Sequence, residues 1–257
     1  MSEKIRRNGK AVCWFSCGAA SAVATKLALR DHPNADIIYQ DTGSEHPDSL
    51  RFLKDCEQWF GQDIRVIRSD RYRDTWEVWE ERRYIAGVQG APCTAELKRK
   101  PAENLLFEKF GIGTVEVFGY TIEEQHRLAR WKANNMERII EAPLIERGLS
   151  KGNCLAILED AGIKLPELYR LGYRNNNCIG CPKGGAGYWN KIRRDFPEVF
   201  ERMAKLERKL NAAICKSYGE DGERQRVFLD ELPEDAGRYE AENISCGLFC
   251  MEVSDEI

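Results

Sequence analysis

From residue 11 to about residue 120, short apolar runs alternate with helically spaced segments, and that alternation restricts the chain to one class of fold. AVCWF (11–15) is an apolar run broken at Gly18, after which Ala19 to Leu29 returns apolar residues at helical spacing. ADIIYQDTG repeats the logic, with Ile37, Ile38 and Tyr39 as a buried strand ending at Asp41-Thr42-Gly43. Pro47 opens a helix carrying Leu50, Phe52, Leu53 and Trp59, and Gly61 stops it. DIRVIRSD and GTVEVFGY are the next strand candidates. Between them lies helical TAELKRKPAENLLFEKFG, whose Pro101 starts a second helix or kinks the first. Strands joined by helices pair in parallel with helices on both faces, the α/β class. Ligands in such sheets gather at the carboxyl ends of the strands, so Ser16 to Ser21, Asp41 to Gly43 and Gly119 onward are expected to converge on one crevice.

After about residue 150 the pattern changes. KGNCLAILEDAGI and RRDFPEVFERMAKLERKLNAAICKSYG read as helices and no clear strand series follows. The expectation is an α/β domain over residues 8–145 and a mostly helical, cysteine-bearing lobe over residues 146–257. No internal repeat or low-complexity linker separates them.

Hydrophobic residues at 42% and charged residues at 32% describe a globular chain with a sizeable core. No run approaches the roughly 20 apolar residues of a membrane span, and the polar MSEKIRRNGK lacks a signal core, so no membrane partner and a cytoplasmic location are expected. In a reducing compartment the ten cysteines serve metal binding, catalysis or burial rather than disulfides. A net charge of -3 argues against a chain coated for nucleic acid, which stays the alternative partner, and leaves a small anionic substrate open.

The turn SCGAASAV (16–23) has the makings of an anion cradle. Gly18, flanked by Ala19 and Ala20, lets backbone approach a ligand, the following helix directs amides and its positive end there, and Ser16 and Ser21 add hydroxyls. Small residues equally suit a tight helix–sheet corner. The turn has no Gly-Lys-[Ser/Thr] and no G-x-G-x-x-G, which removes two large nucleotide-binding families.

Four stretches resemble the phosphoadenosine phosphosulfate (PAPS) reductase family of the PP-loop, adenine nucleotide α-hydrolase-like superfamily. SCGAASAV looks like its phosphate loop, with Ser16, Cys17, Gly18, Ala19, Ala20 and Ser21 as nucleotide contacts. YQDTGSEHPDSLRFL is similar to its Asp-Thr-Gly signature through Asp41, Thr42, Gly43 and Pro47, with His46 in place of an aromatic and Asp48 in place of Glu. CTAELKRKP (93–101) resembles its Cys-containing basic segment. GYTIEEQHRLAR (119–130) sits where the family has Gly-x-Arg; Gly119 matches and Thr121 takes the arginine position, so anion contacts are expected from Arg127, Arg130, Lys98 or Arg99. The resemblance implies an α/β nucleotide-binding core and an adenine nucleotide substrate. Asp41 would hold a ribose, adenine or magnesium ion, or is simply a strand-end turn residue.

NNNCIGCPKGG spaces Cys178 and Cys181 as C-x-x-C among glycines and asparagines, which suits a ligand loop for metal or cluster, or a redox pair. By resemblance, Cys93 completes a three-thiolate 4Fe-4S cluster, Thr94 standing where iron–sulfur members carry a second cysteine. Alternatively Cys246 and Cys250 complete a four-cysteine set that also suits zinc. Cys246, in ISCGLFC, also resembles the nucleophile of sulfonucleotide reductases, although Ser245 and Phe249 replace the motif's Glu and His. Cys13, Cys56, Cys154 and Cys215 read as buried thiols.

Trp76 and Trp79 read as a buried stripe, His32 as solvated, and Lys183, Lys191, Arg193 and Arg194 beside Tyr188 and Trp189 as a solvated helix face or, less simply, a single-strand grip. Two functions follow from the resemblance, and a third class stands beside them. The first is reduction of adenylyl sulfate or its 3′-phosphate to sulfite, with Cys246 attacking sulfur, Lys98, Arg127 and Arg130 near the sulfate and a thioredoxin-like dithiol as reductant. The second is ATP-dependent thiolation of a nucleobase or other acceptor. The third is a non-enzymatic, zinc-stapled nucleic-acid-binding protein.

Overall fold

The computed structural model describes residues 7–87, 90–218, 223–242 and 244. In chain order its elements are β1 (Ala11–Phe15), α1 (Ala19–Asp31), β2 (Asp36–Gln40), α2 (Asp48–Phe60), β3 (Ile64–Ile67) and α3 (Thr75–Arg82). Then come α4 (Lys100–Leu105), β4 (Val115–Val117), α5 (Gln125–Asn134), β5 (Ile139–Glu141), α6 (Pro143–Glu146), α7 (Lys151–Asp160) and α8 (Glu167–Arg170). The last are α9 (Ala186–Asp195), α10 (Pro197–Leu210), β6 (Cys215–Tyr218) and β7 (Arg224–Val227). They form two compact units. The first takes the described residues of Met1–Asp41, His46–Arg68 and Lys100–Asn176, the second those of Thr42–Glu45, Ser69–Arg99 and Asn177–Ile257.

The first unit is built on an all-parallel sheet in the order β3-β2-β1-β4-β5. β1 is paired on both sides, Cys13 facing Ile37 of β2 and Val117 of β4. A strand enclosed by two neighbours and covered on both faces must be apolar throughout, and all five residues of AVCWF are buried. Phe15 stacks on Phe52 of α2 with ring centroids 6.3 Å apart and meets Phe60 edge-on at 5.8 Å. The small face of α1 (Ala19, Ala22, Val23, Ala24, Ala28) lies in the same core. Gly61 ends α2 in the left-handed conformation (φ 73°), as its place in the sequence predicts.

Two features differ from the sequence expectation here. β5 is only Ile139-Ile140-Glu141, too short for its pattern to register, and it is recognised by its pairing with β4. The expected boundary at residue 145 does not coincide with the packing, because Cys154 and Leu158 of α7 are fully buried in the core of the first unit. Around Pro101, which cannot donate to a carbonyl in the preceding turn, the helix widens: Thr94–Arg99 and Leu106–Phe110 are π-helical turns on either side of α4.

In the second unit α9 packs on α10 through Trp189, Ile192 and Met203, all fully buried. Trp76 and Trp79 of α3 are buried edge-to-face, 5.0 Å between centroids. The helical reading of this region missed the antiparallel β6–β7 ribbon, whose polar CKSY and RQRV show no apolar alternation. Glu207 of α10 anchors its ends: fully buried, its carboxylate accepts the amides of Ile214 (2.6 Å) and Leu229 (2.7 Å), and burial pushes its pKa up to about 7. Among the described residues no helix is long and apolar enough to cross a membrane.

The inner sheet carries one buried charge pair. Glu116 of β4, 3% exposed, accepts the indole N–H of Trp14 (2.9 Å) and two guanidinium N–H bonds from Arg138 (2.6 Å each). Removing one partner of such a pair leaves its mate buried without its counter-charge. Glu116→Ala is expected to cost about 3 kcal/mol, read as a lower urea midpoint with an unchanged slope.

Candidate nucleotide site

At the carboxyl end of β1 the chain turns sharply through Ser16 and Cys17. Cys17 adopts φ 55°, a left-handed conformation uncommon for a residue with a Cβ, and is wholly buried. Neighbours hold it there: the Asn176 amide donates to the Cys17 carbonyl (2.8 Å) and to the Ser49 hydroxyl (2.9 Å), and the Cys17 thiol points at the Ser49 carbonyl (3.6 Å). Ser21 closes the loop, its hydroxyl accepting from the Ser16 amide (3.0 Å) and donating to the Gly18 carbonyl (2.9 Å). Gly18 precedes α1 and places no side chain over its first amides. Gly119, leaving β4, passes so close that a Cβ would lie 2.7 Å from the backbone nitrogen of Ser21. Ser16–Ser21 and Gly119 therefore come together, two of the three stretches expected to converge.

Two residues of this corner lie outside the quoted motifs and were missed. The Ala19 amide, first in α1, donates to the Tyr169 hydroxyl (3.1 Å), which also accepts from the Lys151 ammonium (3.2 Å). Lys151 donates further to the Asn175 side chain (2.8 Å). Tyr169 lies on α8 and Lys151 opens α7, where one sequence offers no signal for either.

The remaining candidates of the first unit are engaged in local structure. Asp41 follows β2 and accepts from the Arg68 guanidinium (2.8 Å), so a magnesium ion there would have to compete with a cation already in place. Thr121, in the family's arginine position, builds a capping box with Glu124, and Glu124 also takes the Arg127 guanidinium. Arg130 is exposed on α5. His32 is not solvated as expected: its Nε2 meets the Glu141 carboxylate at 2.8 Å in a mostly buried pair. Asp48 accepts two N–H bonds from Arg51 and one from the Glu167 backbone; chiefly through Arg51 its pKa falls to about 2.

In the second unit, Thr42 Oγ1 stands 3.0 Å from the Cys178 thiol and donates to the Glu45 carboxylate at 2.6 Å. Gly43 takes φ 68° against Arg73, whose carbonyl would lie 2.0 Å from a Cβ. Cys181 is buried, and the Tyr188 hydroxyl accepts the amides of Gly180 (3.0 Å) and Cys181 (2.9 Å) across the C-x-x-C turn. Cys93 instead packs against the apolar group of Tyr72, Val78 and Leu97, and Lys98 follows in the π-helical turn. Among the described residues no three His, Cys, Asp or Glu side chains are placed to hold a metal ion. Cys93, Cys178 and Cys181, the expected three-thiolate set, form no such group among the described residues, and Cys93 lies half-buried against that apolar cluster. The described donors alone do not fit a 4Fe-4S cluster or a zinc ion. Cys246 and Cys250 lie outside the described residues.

The other cysteines read as expected. Cys13, Cys56, Cys154 and Cys215 are buried, and burial pushes their thiols up, Cys13 to about 12 and Cys154 to about 11. The basic–aromatic segment resolves into packing: Tyr188 and Trp189 are buried, Lys191 pairs with Asp195 (2.8 Å), and Arg193 lies 4.4 Å over Phe200.

Residues 10–108 match the model of the phosphoadenosine phosphosulfate reductase domain. The phosphoadenosine 5′-phosphosulfate reductase of Sodalis glossinidius is 28% identical over 109 residues, 41% of this chain and 43% of that protein. An uncharacterized protein of Methanocaldococcus jannaschii is 25% identical over 209 residues, 76% of this chain and 40% of that protein. The chain thus spans less than half the length of these relatives. Among solved structures, a PAPS reductase of Candida auris in a phosphate complex aligns with a TM-score of 0.49 at 14% identity, over 65% of this chain and 80% of that one. A U34-tRNA thiolase of Methanococcus maripaludis, solved with its 4Fe-4S cluster, aligns with a TM-score of 0.43 at 13% identity, over 82% and 74%.

Two outcomes follow from this geometry. Gly119→Ala drives a methyl into the Ser21 backbone, and a melting curve should show about 1–3 kcal/mol of lost stability. Asp48 has a folded pKa below its unfolded value, so its stabilisation is present above about pH 4 and lost as pH falls toward 2. Denaturant curves at pH 5 and pH 3 should differ less for Asp48→Asn than for the native chain.

Proposed function

We propose that this chain, whose residues 10–108 belong to the phosphoadenosine phosphosulfate reductase domain family, binds an adenine nucleotide with its phosphates on the Ser16–Ser21 loop and acts on sulfur at that nucleotide. The observation that carries the reading is the loop itself. A buttressed left-handed turn delivers the start of α1, whose N-cap Gly18 adds no side chain, to the carboxyl edge of a parallel sheet, and Gly119 lets β4 exit directly against the loop backbone. The sulfur chemistry is drawn from the family of residues 10–108, and a cytoplasmic location from eight described cysteines that are all free thiols.

In the finer reading the substrate is adenylyl sulfate or its 3′-phosphate. The Cys246 thiolate attacks the sulfate sulfur; an S–S bond forms, the S–O bond to the phosphate breaks, and the nucleotide leaves with the electron pair. One thiolate of a thioredoxin-like dithiol then attacks the Cys246 sulfur and sulfite departs. The second thiol of the reductant resolves the mixed disulfide, so sulfur gains two electrons and the dithiol becomes a disulfide. Lys98, Arg127 and Arg130 are the proposed sulfate contacts.

One observation favours the second reading, ATP-dependent sulfur transfer to a nucleobase or other acceptor. Thr121 stands where the family carries an arginine and serves as a helix cap, and Arg127 is paired with Glu124, so two of the positions expected to meet a sulfate are engaged elsewhere. The third reading, a zinc-stapled nucleic-acid binder, has no such support.

Incubating the protein with adenylyl sulfate, its 3′-phosphate or ATP, with a dithiol present, separates these. The reductase reading expects sulfite from a sulfonucleotide and a loss of at least 100-fold in Cys246→Ser. Sulfite release that survives Cys246→Ser sinks the nucleophile assignment, and ATP binding without sulfonucleotide binding selects the transfer reading.

A further inference from the structure

We infer that Lys151 is the phosphate-binding cation of the Ser16–Ser21 site and that the Tyr169 hydroxyl holds the phosphate's place in the free chain. The inference rests on the nucleotide reading above and deepens it. The loop has no cation of its own, since Ser16 to Ser21 is Ser-Cys-Gly-Ala-Ala-Ser. Among the described residues of the first unit, Arg127 is held by Glu124, Arg68 by Asp41, and Arg138 by Glu116. Lys151 differs: its ammonium reaches the neutral Tyr169 hydroxyl (3.2 Å) and the neutral Asn175 side chain (2.8 Å), and lies 5.1 Å over the Tyr169 ring.

Its position is electrostatically contrary. Lys151 is the first residue of α7, and it stands one hydroxyl away from the first amide of α1. The N-terminal end of a helix carries partial positive charge, so a lysine beside two such ends is disfavoured unless an anion joins them. Glu123 accepts the Lys151 backbone amide at 3.3 Å and its carboxylate also attracts the ammonium, whose own hydrogen bonds still go to the neutral Tyr169 and Asn175 side chains. Ser150 caps α7 on its own account, so the lysine is not needed to start that helix.

A phosphate oxygen fits where the Tyr169 hydroxyl now lies. The hydroxyl accepts from Ala19 N–H and from Lys151, the two donors an anion at this helix end would take, and charge-assisted bonds are roughly twice as strong as neutral ones. Gly18 keeps the approach clear, since a Cβ there would already touch the Tyr169 hydroxyl at 3.4 Å. Binding thus exchanges a neutral acceptor for an anionic one on the same donors.

Calorimetric titration with AMP, ATP and adenosine tests this, adenosine being the control without phosphate. Lys151→Met should weaken AMP and ATP by about tenfold and leave adenosine unchanged, while Lys151→Arg keeps most of the affinity. Tyr169→Phe, which vacates the amide, should tighten AMP a few-fold. Native affinity for AMP in Lys151→Met, or an equal loss for adenosine, overturns the inference and leaves the proposed function standing. A native chain that binds none of the three ligands overturns both.

Discussion

Parallel pairing of β1 on both of its edges is the constraint on which the first unit depends. A strand hydrogen-bonded to β2 on one side and β4 on the other has no exposed edge and two covered faces, so it must be apolar from end to end. It also sits where the sheet order β3-β2-β1-β4-β5 reverses direction, so its carboxyl end opens on the crevice such sheets leave for ligands. The tight turn, the small face of α1 and the glycine at the exit of β4 all follow from bringing a helix back over that strand at short range.

The second unit solves a different problem with carboxylates. Glu207 takes the amides at both ends of the ribbon region, and Glu242 takes those of Gly185, Gly187 and Tyr188 at the start of α9. Glu45 takes those of Thr42 and Ser44. Each replaces a missing turn of regular structure with one side chain that satisfies several donors. Irregular backbone around the C-x-x-C is held this way, with Tyr188 bridging the turn itself.

Much of the first unit was legible because its signals are local and strong. β1, β2, α1 and α2 each show their period, Gly61 stands at a left-handed helix end that favours glycine, and Gly119 stands where a Cβ would clash. What escaped was held by partners distant in sequence. β5 is three residues long and owes its existence to β4; α7 owes its place to a face shared with α1; Tyr169 and Lys151 reach the loop from a segment that carries no motif. Cys93 shows the converse limit. The resemblance offered it as a ligand, whereas its side chain packs against an apolar cluster built from Tyr72, Val78 and Leu97.

Cys17 carries a last consequence. A glycine would enter the left-handed region without strain, yet it would also give the unfolded chain many more conformations and the folded loop more freedom to relax. A buried cysteine there, fixed through its carbonyl by Asn176, stiffens the turn between strand and helix. The entropic cost of shaping the loop is then met during folding, and its amides are held in one arrangement from the start.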